Sequence, residues 1–362
     1  MCAEVMIKQD IGVALRYDTN AYIRPENESQ VSDFILSITP SVKASTEVGG
    51  VSLAAFYSPS AAVYFNSTGL SNISHNFNLQ MGANLSEKTM LSVSDLFTYS
   101  NDPISASLLG IQSRRETTWS NDVSIGLSHL FTQRITGSIG ASNHYLESDD
   151  PKSTKSSMNS MSLSGGFQAT PATSLNASYG ATLFSFQTNE GRNDIIVHSA
   201  QVGITHSFPY ELDFNISGGT SYVPEIDNHR EWTASTWVEK TFQDSTFHFG
   251  YARSITNTSG LTDQLSVNER YSGAITYATT TTTDVSLSGS YVKNRTIPDS
   301  LLVDISSYDI GITEYWRPYT WMSLGVGYSH FQQISSSVLG EDFKSDHFFV
   351  NFTATTYEGK YK

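Results

Sequence analysis

The chain has 362 residues, a formal net charge of −14 and 38% hydrophobic residues. Charged residues make up only 15%, against about 25% in an ordinary soluble protein. The acidic balance excludes nucleic-acid binding, which needs a basic patch against phosphate, and the single cysteine, Cys2, excludes a disulfide framework or a thiolate metal site.

At the N-terminus only Met1 precedes Cys2. A lipoprotein reading lacks its hydrophobic segment, and the expectation is a mature chain whose signal has been removed. From there the sequence alternates with period two, as strands do. Ile11, Val13, Leu15 and Tyr17 share one side, followed by Phe34, Leu36 and Ile38, then Val51, Leu53, Ala55 and Tyr57. The stretch from Val48 to Ser86 lacks Asp, Glu, Lys and Arg. Its Gly, Pro, Ser and Asn residues nevertheless break any apolar helix of the ~20 residues a bilayer requires.

Further on, Val123, Ile125 and Leu127; Met161, Leu163 and Phe167; Leu175, Tyr179 and Leu183; and Val202, Ile204, Phe214 and Ile216 continue the pattern. The last third adds Phe247 and Phe249, Leu287 and Tyr291, Ile310 and Ile312, Leu324 and Val326, and Val350 and Phe352. The pattern predicts about eighteen strands of roughly 10 to 15 residues, where a soluble strand averages about five or six. Alternation is poor around Asp95, Trp237 and Glu269.

The connections alternate in length. Short ones are expected at Ser45–Glu47, Ser86–Lys88, Thr132–Arg134, Thr170–Ala172, Pro209, Gln243–Ser245, Thr279–Thr283 and Arg317–Tyr319. Longer, more charged ones are expected at Arg24–Ser32, Asn66–Ser71, Asn101–Glu116, Glu147–Ser156, Asn189–Asp194, Pro224–Arg230, Asn257–Gln264, Asn294–Ser300 and Gln333–Asp342. An all-β, transmembrane, antiparallel up-and-down β-barrel over residues 1–362 meets this pattern, with short periplasmic turns, longer extracellular loops and both termini periplasmic. Bilayer hydrocarbon offers no hydrogen bonds, so such a sheet must close on itself.

The expected aromatic girdle comprises Phe208, Tyr210, Phe242, Trp316, Tyr319 and Trp321. Expected lumen-lining residues are Arg16, Asp18, Lys43, Asn78, Gln80, Asp213, Asn215, Asp284, Asp309 and Asn351. The apolar run Ile104–Ile111 points to a loop that folds inward or packs on the rim, with Leu108, Leu109, Arg114 and Arg115 as candidate constriction residues near the pore. His75, His198, His206 and His330 share parity with lipid-facing residues, which suits interface positions better than general bases. No GxSxG, HExxH or phosphate-binding glycine loop occurs, so neither an enzyme activity nor a cofactor is expected. The acidic loop residues Glu147, Asp149, Asp150, Glu225, Asp227, Glu341 and Asp342 match no EF-hand spacing. They read as solvated loops; bridging to lipopolysaccharide through divalent cations is the alternative.

Three sequence elements carry a resemblance: Tyr17, Asp18 and Asn20; Thr39 and Pro40; and Asp95, Phe97, Asp102 and Pro103. Over about the first hundred residues the chain resembles the β-barrel porins associated with bacterial exopolysaccharide secretion. The resemblance implies an outer-membrane channel for a polysaccharide, with outer-membrane lipid, lipopolysaccharide and periplasmic export components as partners. Two other classes stay open, a barrel sheath of a larger envelope complex such as an electron conduit, and an outer-membrane hydrolase.

Overall fold

The computed structural model describes residues 4–101, 116–149, 155–188, 191–257, 262–298, 302–337 and 341–361. Its strands are β1 (Val5–Asp18), β2 (Asp33–Val48), β3 (Val51–Tyr64), β4 (Asn72–Ser86), β5 (Thr89–Ser100) and β6 (Thr118–Thr132). Next come β7 (Ile135–Ser148), β8 (Lys155–Thr170), β9 (Thr173–Thr188), β10 (Gly191–Phe208), β11 (Leu212–Val223) and β12 (His229–Thr241). The last are β13 (Ser245–Asn257), β14 (Leu265–Ala278), β15 (Thr283–Ile297), β16 (Asp304–Tyr319), β17 (Met322–Ser335) and β18 (Phe343–Tyr361). Each strand pairs antiparallel with the next, and β1 pairs with β18, so 18 strands close into one barrel.

Of the expected connections, Asn294–Ser300 is strand as far as Ile297, and three others are corrected. β2 runs through Glu47 to Val48, and the turn is Gly49–Gly50. Both glycines have positive φ, 59° and 83°, the twist that a two-residue hairpin turn demands. The Arg317–Tyr319 turn is strand: the register slips between Trp316 and Tyr319, so Pro318 sits in a bulge and the turn falls at residues 320–321. Of the expected long loop Asn189–Asp194, residues 191–194 are strand, because β10 already begins at Gly191. An Arg192–Asp194 contact of 2.8 Å lets these charged residues stay extended.

The inside of the wall is identified by contacts between strands that are not neighbours. Asn257 of β13 lies 3.4 Å from Ser156 of β8. Phe184, Phe186, Ile195, Val197, Val223 and Leu265 form one buried cluster contributed by β9, β10, β11 and β14. Such contacts cross the lumen, so the face carrying Ser156, Phe184 and Val197 is interior, and register carries that assignment round the barrel. The opposite face bears the exposed apolar residues, among them Leu15, Leu53, Ile125, Leu163, Val202, Ile216, Ile310 and Val350.

Alternation fails locally for three reasons. Asp95 faces outward, but Asn121 donates to its carboxylate at 2.6 Å. Trp237 faces inward, opposite Asn215 in register. Glu269 meets Arg253 at 2.7 Å, where the wall divides.

The Thr39–Pro40 element marks a gap in the wall. Between Ile38↔Ala61 and Val42↔Tyr57 the β2–β3 ladder is interrupted, and Pro40 and Pro59 stand opposite each other in that gap. Neither carries an N–H. Side chains fill part of the deficit, with Ser58 Oγ donating to the Pro40 carbonyl at 3.4 Å and the Thr39 and Ser60 hydroxyls 2.9 Å apart. A Pro40→Val/Pro59→Val double variant is therefore expected to be more stable by about 1 kcal/mol. The temperature at which the folded band disappears in heat-modifiable gel electrophoresis should rise, and an unchanged or lower temperature would sink this account of the gap.

Candidate functional site: the barrel interior

The interior wall is mostly hydroxyl and amide. Ser94 and Ser124 are 2.7 Å apart, Ser138 and Ser164 2.6 Å, Ser160 and Thr182 3.0 Å, and Ser199 and Ser221 2.6 Å. Gln201 donates to Thr233 at 3.1 Å and Asn215 to Thr205 at 2.8 Å. Register sets the short side chains directly opposite across neighbouring strands, whereas Gln201 of β10 reaches over Gly219 of β11 to Thr233 of β12. A recess of about 740 Å³ opens on this wall toward the short-turn end, where Ser45, Ser52, Gln80, Ser92 and Ser94 line it, with Glu47 and Lys360 among its charged residues.

Register places Arg16, Asp18, Lys43, Asn78, Gln80, Asp213, Asn215, Asp284, Asp309 and Asn351 all on the interior face. Several of the interior charged side chains have a partner nearby. Asp284 is bound by Arg317, and Lys8 lies 3.3 Å from Asp10. Asp122 lies 2.5 Å from His144, and Glu239 3.7 Å from His248. Lys43 stands opposite Lys8. Leu108, Leu109, Arg114 and Arg115, like Asp102 and Pro103, lie outside the described residues.

Asp18 is 2% exposed. It accepts hydrogen bonds from the Asn20 N–H and the Ser345 hydroxyl, both at 2.8 Å, and lies 3.3 Å from His347 Nε2. Ser345, His347 and Asp18 have triad residue types but the wrong wiring. The serine donates to the aspartate directly, and one imidazole nitrogen contacts both partners. The cluster is an anchor for the connection between β1 and β2. Asn20 strengthens it, accepting from Arg24 N–H and donating to the Arg24 and Lys344 carbonyls. Ala21 of that connection packs on Ile35 and Tyr64 of the interior wall. The Tyr17–Asp18–Asn20 element thus pins one side of the long-loop mouth, with Glu26 N–H bonded to the Asp342 carbonyl.

The other side of the mouth is built differently. Pairing of β12 with β13 stops at Ala234↔Arg253, while β13 and β14 stay paired to Asn257↔Leu265. Freed from β12, this end of the hairpin turns inward until Leu265 seats in the cluster of β9, β10 and β11. Arg253, 5% exposed, sits where the wall divides. It bonds Glu231 and Glu269, each at 2.7 Å, and donates to the Trp232 carbonyl, with its guanidinium 4.2 Å above the Trp232 ring. This inner apolar cluster is absent from the sequence reading. The available signal was Phe184 and Phe186, which fall on the polar parity of β9.

Outside, Phe208, Tyr210, Phe242, Trp316, Tyr319 and Trp321 are all exposed at the short-turn end. Tyr319 and Trp321 stack at 5.4 Å. A second aromatic belt runs nearer the long loops. It comprises Tyr57–His75–Tyr99, Trp119–Tyr145, Tyr179–His198–Tyr222, Tyr251–Tyr271–Tyr291–Tyr308 and Tyr328–Phe348. Tyr57 and Tyr179 are each hydrogen-bonded to a histidine Nδ1 at 2.9 Å, so His75 and His198 are belt members.

No protein-family model matches the chain, and no curated protein matches it in sequence. Solved structures do match its fold. OccAB4 of Acinetobacter baumannii is 13% identical over 99% of this chain and 98% of its own, with a TM-score of 0.51. OpdK of Pseudomonas aeruginosa, solved with vanillate, is 10% identical over 96% and 98%, with a TM-score of 0.53. The siderophore receptor PirA of Pseudomonas aeruginosa is 8% identical over 97% of this chain and 80% of its own, with a TM-score of 0.52. OpdK is an outer membrane protein. The likeness is one of fold, a closed antiparallel barrel.

Proposed function

We propose that the chain is a bacterial outer-membrane channel and that its cargo is an exopolysaccharide strand. The observation that carries this reading is the division of the wall. Its outer face is an apolar band between two aromatic belts, as a bilayer-spanning barrel needs. Its inner face is a ladder of hydroxyls and amides. Such groups exchange hydrogen bonds with a hydrated sugar strand as readily as with water. In this reading the short turns face the periplasm together with both chain ends, since Val5 pairs with both Thr46 and Tyr361 there. Lipopolysaccharide surrounds the long-loop rim, and periplasmic export components meet the short-turn rim.

The test is conductance of the purified protein in planar bilayers, with neutral oligosaccharides added to either side. Discrete channels that the oligosaccharides block transiently are expected. Channels indifferent to them would remove the polysaccharide reading, and a silent membrane with folded protein present would remove the channel itself.

A further inference from the structure

We propose that the long-loop ends of β13 and β14 form a strap that gates the lumen, with Arg253 as its clasp. The proposal rests on the channel reading and specifies where the path opens and closes.

The two sides of the mouth are held in different ways. The connection after β1 is pinned by buried polar bonds that satisfy Asp18 and Asn20 fully. The strap has a continuous ladder on one edge only, to β15 as far as Leu265↔Ile297. Its other edge loses β12 beyond Arg253. Its described contacts with the wall of β8–β11 include Asn257 to Ser156 at 3.4 Å, Asn193 to the Asp263 carbonyl at 3.1 Å, and Leu265 and Ile255 on the apolar cluster. None of these contacts belongs to a strand ladder, so they can be released without breaking the barrel.

Arg253 stands where the ladder ends and supplies its bonds to both sides, to Glu231 and the Trp232 carbonyl on β12 and to Glu269 on β14. Wall strands of a barrel ordinarily pair along their full length. Here a side chain replaces the ladder at a seam from which a hairpin leans into the lumen.

The experiment uses the whole chain with Cys2→Ser, so that introduced thiols are the only ones. Ser156→Cys/Asn257→Cys is bridged by a short, reducible bis-thiosulfonate in planar bilayers. Bridging is expected to lower single-channel conductance or open time, and reduction to restore it; equal conductance in both states overturns the strap. A second readout needs no current. Val197→Cys, under the strap, should react with a water-soluble maleimide about tenfold faster when Arg253→Met is added, as local opening exposes it. Equal rates overturn the clasp. If labelling responds but no state conducts, the channel reading fails and the strap stands.

Discussion

Gly219→Val is expected to abolish the folded barrel, whereas the same change at the preceding residue, Gly218→Val, should be tolerated. Gly219 lies on the interior face of β11 opposite Gln201. A Cβ there would overlap the Ala200 carbonyl oxygen and stand 2.7 Å from Gln201 Cγ and 2.8 Å from the Ala200 carbonyl carbon. The obstacle is backbone of the neighbouring strand, which cannot rotate away as a side chain can. The cost is about 3 kcal/mol, enough to stall closure at β10–β11. Gly218 points outward and would meet nothing nearer than the Thr233 carbonyl oxygen at 4.0 Å. The yield of heat-modifiable, protease-resistant protein after refolding in detergent checks the pair. Similar yields for the two variants would refute the close approach.

Arg253→Met should have the largest effect among the charge substitutions at the strand seam. Glu231 and Glu269 would keep their charges in a crowded site with their shared cation gone. Removing one partner of a buried pair costs about 3–5 kcal/mol. The loss should be confined to the strand ends beyond Ala234 and Arg253, read as faster amide exchange in β14 from Leu265 to Asn268. Adding Glu231→Gln and Glu269→Gln removes the stranded charges, so the triple variant should regain most of the protection. Arg253→Lys should regain less, because an ammonium cannot span two carboxylates and a carbonyl with fixed planar donors. A triple variant as exposed as Arg253→Met would mean that packing on Trp232, rather than charge, holds the seam.

Much of the wall was legible because a closed two-sided sheet writes itself into alternate residues. Leu175, Ala177, Tyr179, Ala181 and Leu183 need no knowledge of their neighbours to be assigned to one face, and the register of β8–β9–β10 keeps them there. The turns were harder to bound. Gly49 and Gly50 mark a hairpin by their conformation, but Ser45–Glu47 is equally polar because it faces either water or the lumen. Charge misled at Asn189–Asp194, since Arg192 and Asp194 neutralise each other within a strand.

The interior was legible only as a face. Parity placed Asn215 and Gln80 on the same side, but could not show that Asp18 is consumed by an anchor while Gln80 lines an open recess. Period, parity and loop length are local, and by themselves they determined a closed sheet of about eighteen strands, its two faces and the aromatic rim at the short turns; the structure fixed the count at 18. The tertiary structure alone decided which strand ends leave the wall. Where β12 and β13 part, Leu265 exchanges a place in the cylinder for a seat against Phe184 and Val197, strands far away in sequence. Such a contact depends on the curvature that brings β9 and β14 to facing sides of one lumen, and no stretch of sequence contains that distance.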